Sequence, residues 1–308
     1  MIPFRTRRTA DMKPRVSICI AVRDSEKYIG NCIRSLVAQT TKDFEIVVIE
    51  DPPYDNTRKI LYSFKDERIV YVRNSIPLGI YKTRNVCIKQ AKGDYIFFTD
   101  GDCVVSLDWI EQGLKLLSRS DCVGVEGKTY YVSERYEPSF SDMVIQNRKG
   151  GLFMTCNIAY KRAVIEKIGG FDERYSRVGD RDLALRSSRL GKIPFNPNMI
   201  VYHQKSVRTS REFIKKARVI IRNRVLVHKK FPANGIPKAR IWDGRVWRIV
   251  LPLNLMIMIY PPLIIGSFLV HKYKTKEDLT LFPYIYLMAI SERLSLWNEC
   301  AKQRVFLI

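Results

Sequence analysis

The chain has 308 residues, 46% of them hydrophobic and 27% charged, which excludes a disordered polymer and leaves room for one large or two smaller domains with a real core. A formal net charge of +22 requires an anionic counterpart: nucleic acid, a membrane surface or a phosphorylated substrate. Seven cysteines (19, 32, 87, 103, 122, 156 and 300) form no Cys-x-x-Cys pair, which argues against a disulfide framework or a zinc site and fits a reducing compartment.

Residues 1–14 are basic with no apolar run behind them, so they read as a tail and not as a secretory signal. Val16–Val22 is a first strand, and Tyr28, Ile29, Cys32, Ile33, Leu36 and Val37 then recur at helical spacing. Phe44–Ile49 is a second strand, ending in Glu50-Asp51-Pro52-Pro53-Tyr54-Asp55-Asn56-Thr57, and Ile69–Val72 is a third. Leu78-Gly79 opens a helix that runs to about Ala91. Strands alternating with helices at this spacing imply a mostly parallel sheet covered on both faces.

The fourth strand organises the rest. Asp94-Tyr95-Ile96-Phe97-Phe98-Thr99-Asp100-Gly101-Asp102 is an apolar, aromatic run that ends in two carboxylates with a glycine between them. A buried parallel strand reads as such a run, and ligands in open α/β sheets gather just outside the carboxyl ends of the strands. Two aspartates delivered there suit a hard divalent cation with oxygen ligands, and Gly101 permits a tight turn. A polar turn capping a strand is the plainer alternative.

Taken together, these segments resemble the nucleotide-binding half of family 2 glycosyltransferases, whose fold is termed GT-A. That family typically carries a Val-Asp-Asp-Gly-Ser-x-Asp-x-Thr loop, an Asn-x-Gly…Arg-Asn segment and an Asp-x-Asp triplet. The corresponding stretches here are Ile49–Thr57, Asn74-Ser75-Ile76-Pro77-Leu78-Gly79…Arg84-Asn85 and Asp100-Gly101-Asp102, and the resemblance covers roughly residues 14–205. Pro52-Pro53 stand where the family usually has Gly-Ser, which makes a stiffer loop with fewer N–H donors and bears on which base it prefers. The resemblance implies that Asp51 hydrogen-bonds the base and that Asp100 lies near the ribose or a metal-bound water. It also implies that Asp102 binds Mn²⁺ or Mg²⁺, with Arg84 as a phosphate or structural partner.

Past the triplet, Leu107–Glu111 begins an amphipathic helix and Cys122–Gly127 returns as a strand. Residues 133–150 are polar without a period and read either as an acceptor loop or as a solvated connection. Thr155–Tyr160 is a strand, Lys161–Ile168 a helix, Gly169-Gly170-Phe171-Asp172 a turn, and Asp180–Arg186 opens another helix. In the resembling family the last segment is Glu-Asp-x-Asp-Leu, whose second acid is the catalytic base; Asp180 falls there, while Gly179 replaces the acid before it. On its own pattern Asp180 also fits a helix N-cap. His203 ends a short strand, and is either structural or, as in similar enzymes, a ligand of the metal or the diphosphate.

After His203 the composition shifts. Residues 205–248 hold many lysines and arginines against two acids, Glu212 and Asp243. Arg208, Arg211, Lys215, Arg218 and Arg222 step by three and four along one helical face, which suits anionic headgroups or the phosphates of a donor or lipid-phosphate acceptor. Ile249–Val270 is uncharged, long enough to cross a bilayer, broken by Pro252, Pro261 and Pro262, and flanked by basic residues at both ends. The expectation is a re-entrant or interfacial hairpin bent near Pro261-Pro262, ahead of a kinked span or a buried soluble pair; Leu279–Ser291 is a shorter, interfacial run.

The sequence thus predicts an α/β chain in four parts: a tail (1–14), a GT-A domain (15–205), a basic amphipathic helical segment (206–248) and an apolar membrane-associated region (249–308). The fold expected for residues 15–205 is a Rossmann-like, mostly parallel mixed sheet flanked by helices. The expected function is metal-dependent, inverting transfer from a nucleotide-diphosphate sugar to a lipid-linked acceptor such as a polyprenyl or dolichyl phosphate, at the cytoplasmic face of the cell membrane. A catalytically degenerate scaffold and a nucleic-acid-binding protein are the alternatives. No nucleic-acid partner is expected, because no recognition motif accompanies the charge. A nucleotidylyltransferase is set aside because Ala21-Val22-Arg23-Asp24-Ser25 lacks the glycine-rich loop that such an enzyme carries after its first strand.

Overall fold

The computed structural model describes residues 13–133 and 146–204, together with short pieces at 222–223, 226–227, 229–231, 297–299 and 301–302. The chain divides into two compact units, Met1–Tyr136 with Ile145–Ser206, and Glu137–Val144 with Val207–Ile308.

In the first unit β1 (Val16–Val22), β2 (Phe44–Glu50), β3 (Ile69–Arg73) and β4 (Tyr95–Phe98) are joined by α1 (Ile29–Val37), α2 (Thr57–Ser63) and α3 (Ile80–Gln90). β5 (Cys103–Val105), α4 (Trp109–Leu117), β6 (Gly124–Tyr131), β7 (Ile158–Lys161), α5 (Arg162–Ile168), α6 (Gly179–Ser187) and β8 (Phe195–His203) follow. The described strands form one sheet in the order β3-β2-β1-β4-β7-β6-β8-β5. The β3-β2-β1-β4 half is parallel, as continuous apolar strands joined by helices require. Beyond β4 the sheet is mixed: β7 is antiparallel to β4 and β6, β6 is parallel to β8, and β5 is antiparallel to β8.

Every residue of β1 and β2 is buried, and α1 turns Ile29, Cys32, Ile33 and Leu36 onto the same core as Ile18, Ile20 and Val48. Trp109 of α4 packs edge-on against Phe97, and its indole N–H donates to Asn157 Oδ1 at 2.8 Å. The amide of Asn157 donates in turn to the carbonyls of Lys128 and Met199, tying the start of β7 to β6 and β8.

Three elements depart from the sequence expectation. β4 ends at Phe98, so Asp100-Gly101-Asp102 form the turn after it and not its last residues. That turn packs so closely that a Cβ on Gly101 would lie 2.8 Å from Val22. β6 runs on to Tyr131, because Lys128 and Tyr130 are partly exposed and break the apolar run that marks its start. β5 has three residues, too few for any periodicity, yet it pairs Cys103 with His203.

Among the described residues no helix is long and apolar enough to cross a membrane. The apolar runs at 249–270 and 279–291, and Arg208, Arg211, Lys215 and Arg218 of the basic stripe, lie outside the described residues. Arg222 is described: it is exposed, with Nε 3.9 Å from Glu299 Oε1.

Candidate active site

The carboxyl ends of β1, β2 and β4 share one rim because those strands run parallel, and the acids predicted from the sequence are set around it. Asp51 follows β2, where Asn74 Nδ2 and the Leu78 N–H donate to Oδ1 (2.9 Å each) and the Gly79 N–H donates to Oδ2 (3.0 Å). Burial alone would raise its pKa, but these donors and the Thr83 hydroxyl outweigh that and hold it below the usual carboxylate value. Asp51 thus anchors the loop from Asn74 to Gly79, which leads into α3. A second tie fastens the β1–α1 loop to the β2–α2 loop: the Glu26 N–H donates to Asp55, while Asn56 donates to Glu26 through backbone and side chain.

Arg84, on the buried face of α3, donates from Nη2 to Asp100 Oδ1 at 2.8 Å. Burial works against its charge, but Asp100, Tyr81 and Asp180 beside it raise its pKa overall. Asp180 completes the group from the first turn of α6. It is not the N-cap, which is Val178 in the left-handed conformation (φ 63°), a rare one for a β-branched residue. Burial pushes the Asp180 carboxyl above its usual pKa; Arg84 pulls it back in part, and Asp100 adds to the rise.

The glycine that stands where an acid was expected has a steric cause. A Cβ on Gly179 would lie 2.8 Å from the Tyr81 ring, and the Gly179 N–H donates to Tyr81 Oη at 2.7 Å. Tyr81 in turn stacks on Phe171 with ring centroids 5.4 Å apart. Asn85 closes the unit, accepting from the Phe171 N–H and donating to its carbonyl, both at 2.9 Å. The Arg-Asn and Gly-Gly-Phe-Asp segments, about 86 residues apart, are therefore one packed device that carries Asp180.

On the other side of the triplet, β5 brings His203 to Asp102, with Nε2 3.5 Å from Oδ1. His203 Nδ1 lies 3.2 Å from the Gln204 carbonyl. A proton on Nδ1 satisfies that carbonyl and leaves the Nε2 lone pair turned toward the carboxylate, the tautomer a metal-binding imidazole needs. Asp102, Cys103 and His203 offer one ligand atom each within 4.8 Å of one another. A thiol is the soft member of the three, and setting it aside leaves Asp102 and His203 as an oxygen and nitrogen pair suited to a manganese-type cation.

The sequence did not single out Tyr81, Glu26 or Asp55, whose roles come from contacts across loops. Glu126 was also passed over: it is a fully buried carboxylate on β6 that collects donors from the 147–153 segment.

The mixed α/β sheet, with Asp51, Asp100 and Asp102 in the loops after strands of its parallel half, has the fold of the GT-A-like glycosyltransferases, and this chain is a glycosyltransferase. Residues 17–169 match the model of glycosyl transferase family 2, and this domain is a member of that family. Glycosyltransferase AglE of Haloferax volcanii is 27% identical over 217 residues, covering 66% of this chain and 70% of its own length. The UDP-Glc:alpha-D-GlcNAc-diphosphoundecaprenol beta-1,3-glucosyltransferase WfaP of Escherichia coli is 28% identical over 179 residues, covering 58% of this chain and 70% of its own. Among solved structures, the mannosyltransferase PcManGT from Pyrobaculum calidifontis in complex with GDP-Man and Mn²⁺ superposes with a TM-score of 0.63 at 15% identity. That match covers 93% of this chain and 88% of the other. S. aureus TarS 1–349 in complex with UDP gives 0.54 at 16% identity, covering 96% and 93%. At these identities the structural matches establish the shared fold.

Proposed function

We propose that this chain transfers a sugar, with inversion, from a nucleotide-diphosphate sugar to a hydroxyl or phosphate of a lipid-linked acceptor. The observation that carries the reading is the meeting of Arg84, Asp100 and Asp180 on one side of the Asp-Gly-Asp turn with Asp102 and His203 on the other. Asp180 is the general base: a carboxylate with a raised pKa is a stronger base than a solvated one and better matched to removing an acceptor proton as attack proceeds. Attack by that oxygen from the face opposite the departing diphosphate inverts the anomeric carbon. Arg84 and Asp100 set the ribose and diphosphate side, and Asp51 borders the base through the loop it anchors.

Asp102 and His203 would hold a divalent cation, Mn²⁺ or Mg²⁺, which when bound supplies positive charge to the leaving diphosphate. The Mn²⁺ complex of the Pyrobaculum calidifontis mannosyltransferase supports a metal in this fold. The undecaprenol-linked substrate in WfaP's own description, together with the basic and apolar segments here, supports a lipid-linked acceptor at the cytoplasmic membrane face. On this reading residues 15–205 are the catalytic domain, and 206–248 and 249–308 are the membrane-binding parts behind the tail at 1–14.

The test is release of nucleoside diphosphate from a panel of UDP- and GDP-sugars with Mn²⁺ or Mg²⁺. It is run with and without polyprenyl phosphate and prenyl-diphosphate-linked N-acetylglucosamine. Turnover of one donor that needs the lipid, and that falls by about 10²–10⁴ in Asp180→Asn, is expected. Turnover unaffected by Asp180→Asn and Asp102→Ala would overturn the site assignment.

A further inference from the structure

The mixed half of the sheet carries a buried acid that the reaction scheme leaves without a part. Glu126 is 1% exposed, yet its carboxylate accepts four donors, all from one segment. Asn147 Nδ2 (2.7 Å), the Leu152 N–H (3.0 Å) and the Phe153 N–H meet Oε1, and the Gly151 N–H (2.6 Å) meets Oε2. Asn147 also accepts the Gly150 N–H at 2.9 Å. The segment has positive φ at Gly150 (79°) and Gly151 (84°), which glycine adopts freely, and at Phe153 (54°), which a side chain resists. Backbone held this way costs on the order of 1–3 kcal/mol per non-glycine residue and persists only where its surroundings impose it. Glu126 is what imposes it here.

The register fixes where the segment lies. Phe98, Ile158 and Glu126 are direct partners in one row across β4, β7 and β6, so their side chains share a face of the sheet. That face also carries Phe171, packed on Phe98 at 5.4 Å, and Tyr81, stacked on Phe171, which holds the start of α6 and hence Asp180. The segment therefore lies on the Asp180 face, at the rim where β4 gives way to the Asp-Gly-Asp turn. It stands on the opposite side of that turn from Asp51. Leu152 at its crest is 43% exposed.

We propose that Glu126 is a positioning residue for the acceptor: through four hydrogen bonds it moulds residues 150–153 into the acceptor wall beside Asp180, with Leu152 facing the acceptor. The inference rests on the transferase reading above and assigns part of its site. Replacing the acid by an amide swaps one acceptor oxygen for a donor that must face an N–H, so Glu126→Gln loosens the segment with little change of volume.

The experiment is steady-state kinetics with the sugar nucleotide that the wild type turns over, and prenyl-diphosphate-linked N-acetylglucosamine as acceptor, beside calorimetric titration with the matching nucleoside diphosphate and Mn²⁺. Glu126→Gln is expected to raise the acceptor KM about tenfold while nucleotide affinity stays within about twofold, a split that general loosening of the fold would not give. Leu152→Ala, an exposed change that spares the fold, is expected to raise the acceptor KM in the same direction. A parallel loss of nucleotide affinity in Glu126→Gln, or an unchanged acceptor KM, would overturn the assignment. Should Glu126→Gln fail to fold, an unchanged KM in Leu152→Ala overturns it alone. A wild type that turns over none of the donors on the panel would sink the transferase reading itself, a result distinct from either of these.

Discussion

Arg84, Asp100 and Asp180 are electrostatically coupled, and on the proposed reading this coupling sets the proton chemistry of the site. Burial lifts the Asp180 carboxyl above its ordinary pKa, and Arg84 draws it partway back. If Asp180 is the general base, it must be ionised to accept a proton, and the acid limb of kcat/KM is expected at higher pH than an ordinary solvated aspartate would give. Arg84→Met removes the compensating charge, so the limb should move to still higher pH and the maximal rate should fall; a pH–rate profile of both proteins checks this. The stability sign follows from the same shift. A carboxyl that binds its proton more tightly in the folded state favours folding most at low pH, and that contribution is lost as pH rises through the raised value. Metal binding is read independently of turnover. If Asp102 and His203 are the ligand pair, His203→Ala and Asp102→Ala should each weaken Mn²⁺ binding by about tenfold or more in an electron-paramagnetic-resonance titration. Unchanged affinity in both variants would remove the metal from this corner of the site.

Among the elements, α3 does more than bridge two strands. Its Tyr81 and Asn85 fasten the start of α6 and the 169–172 turn while its Arg84 reaches Asp100, so the site depends on close approach at Gly179. Gly179→Ala forces a methyl group into the Tyr81 ring and is expected to cost about 1–3 kcal/mol. For a domain of this size that corresponds to a fall in Tm of roughly 2–4 °C per kcal/mol, with kcat reduced alongside; unchanged thermal unfolding would refute the packing account. This same position shows what a sequence can and cannot disclose. Asp100 and Asp102 stood out because they follow the apolar run of β4, where local pattern and rim position coincide, and Asp51 because the loop after β2 resembles the family's. Gly179 read as a lost acid, because the ring that excludes a side chain there lies 98 positions earlier. Glu126 gave no signal at all: its four donors come from 21 to 27 residues further on, and its strand pairs by an order that local periodicity does not encode. The short β5 was equally silent, although its pairing is what carries His203 to Asp102.

At the scale of the whole molecule, the charge is unevenly placed. Residues 205–248 hold fourteen lysines and arginines against two acids, more than half of the net +22 in one seventh of the chain. The apolar run from Ile249 to Val270 follows directly. A soluble sugar nucleotide needs only a few positive groups, and Arg84 is already at the rim to meet it. A lipid-linked acceptor brings the further requirement that the enzyme reach its substrate in two dimensions. Basic residues near an anionic leaflet contribute about 1 kcal/mol each, and that attraction decays within a Debye length. Neutralising Arg208, Arg211, Lys215, Arg218 and Arg222 to glutamine should therefore release the protein from vesicles containing phosphatidylserine at physiological salt. Retention on neutral vesicles, where only the apolar run can act, should be little changed. Co-sedimentation across a salt series separates the two contributions: a steep salt dependence in the wild type, flattened in the five-fold variant, is the expected pattern. Binding that is equally tight on anionic and neutral vesicles, and indifferent to both salt and the substitutions, would mean that the basic stripe serves the phosphates of the donor or acceptor and leaves membrane attachment to the apolar segment.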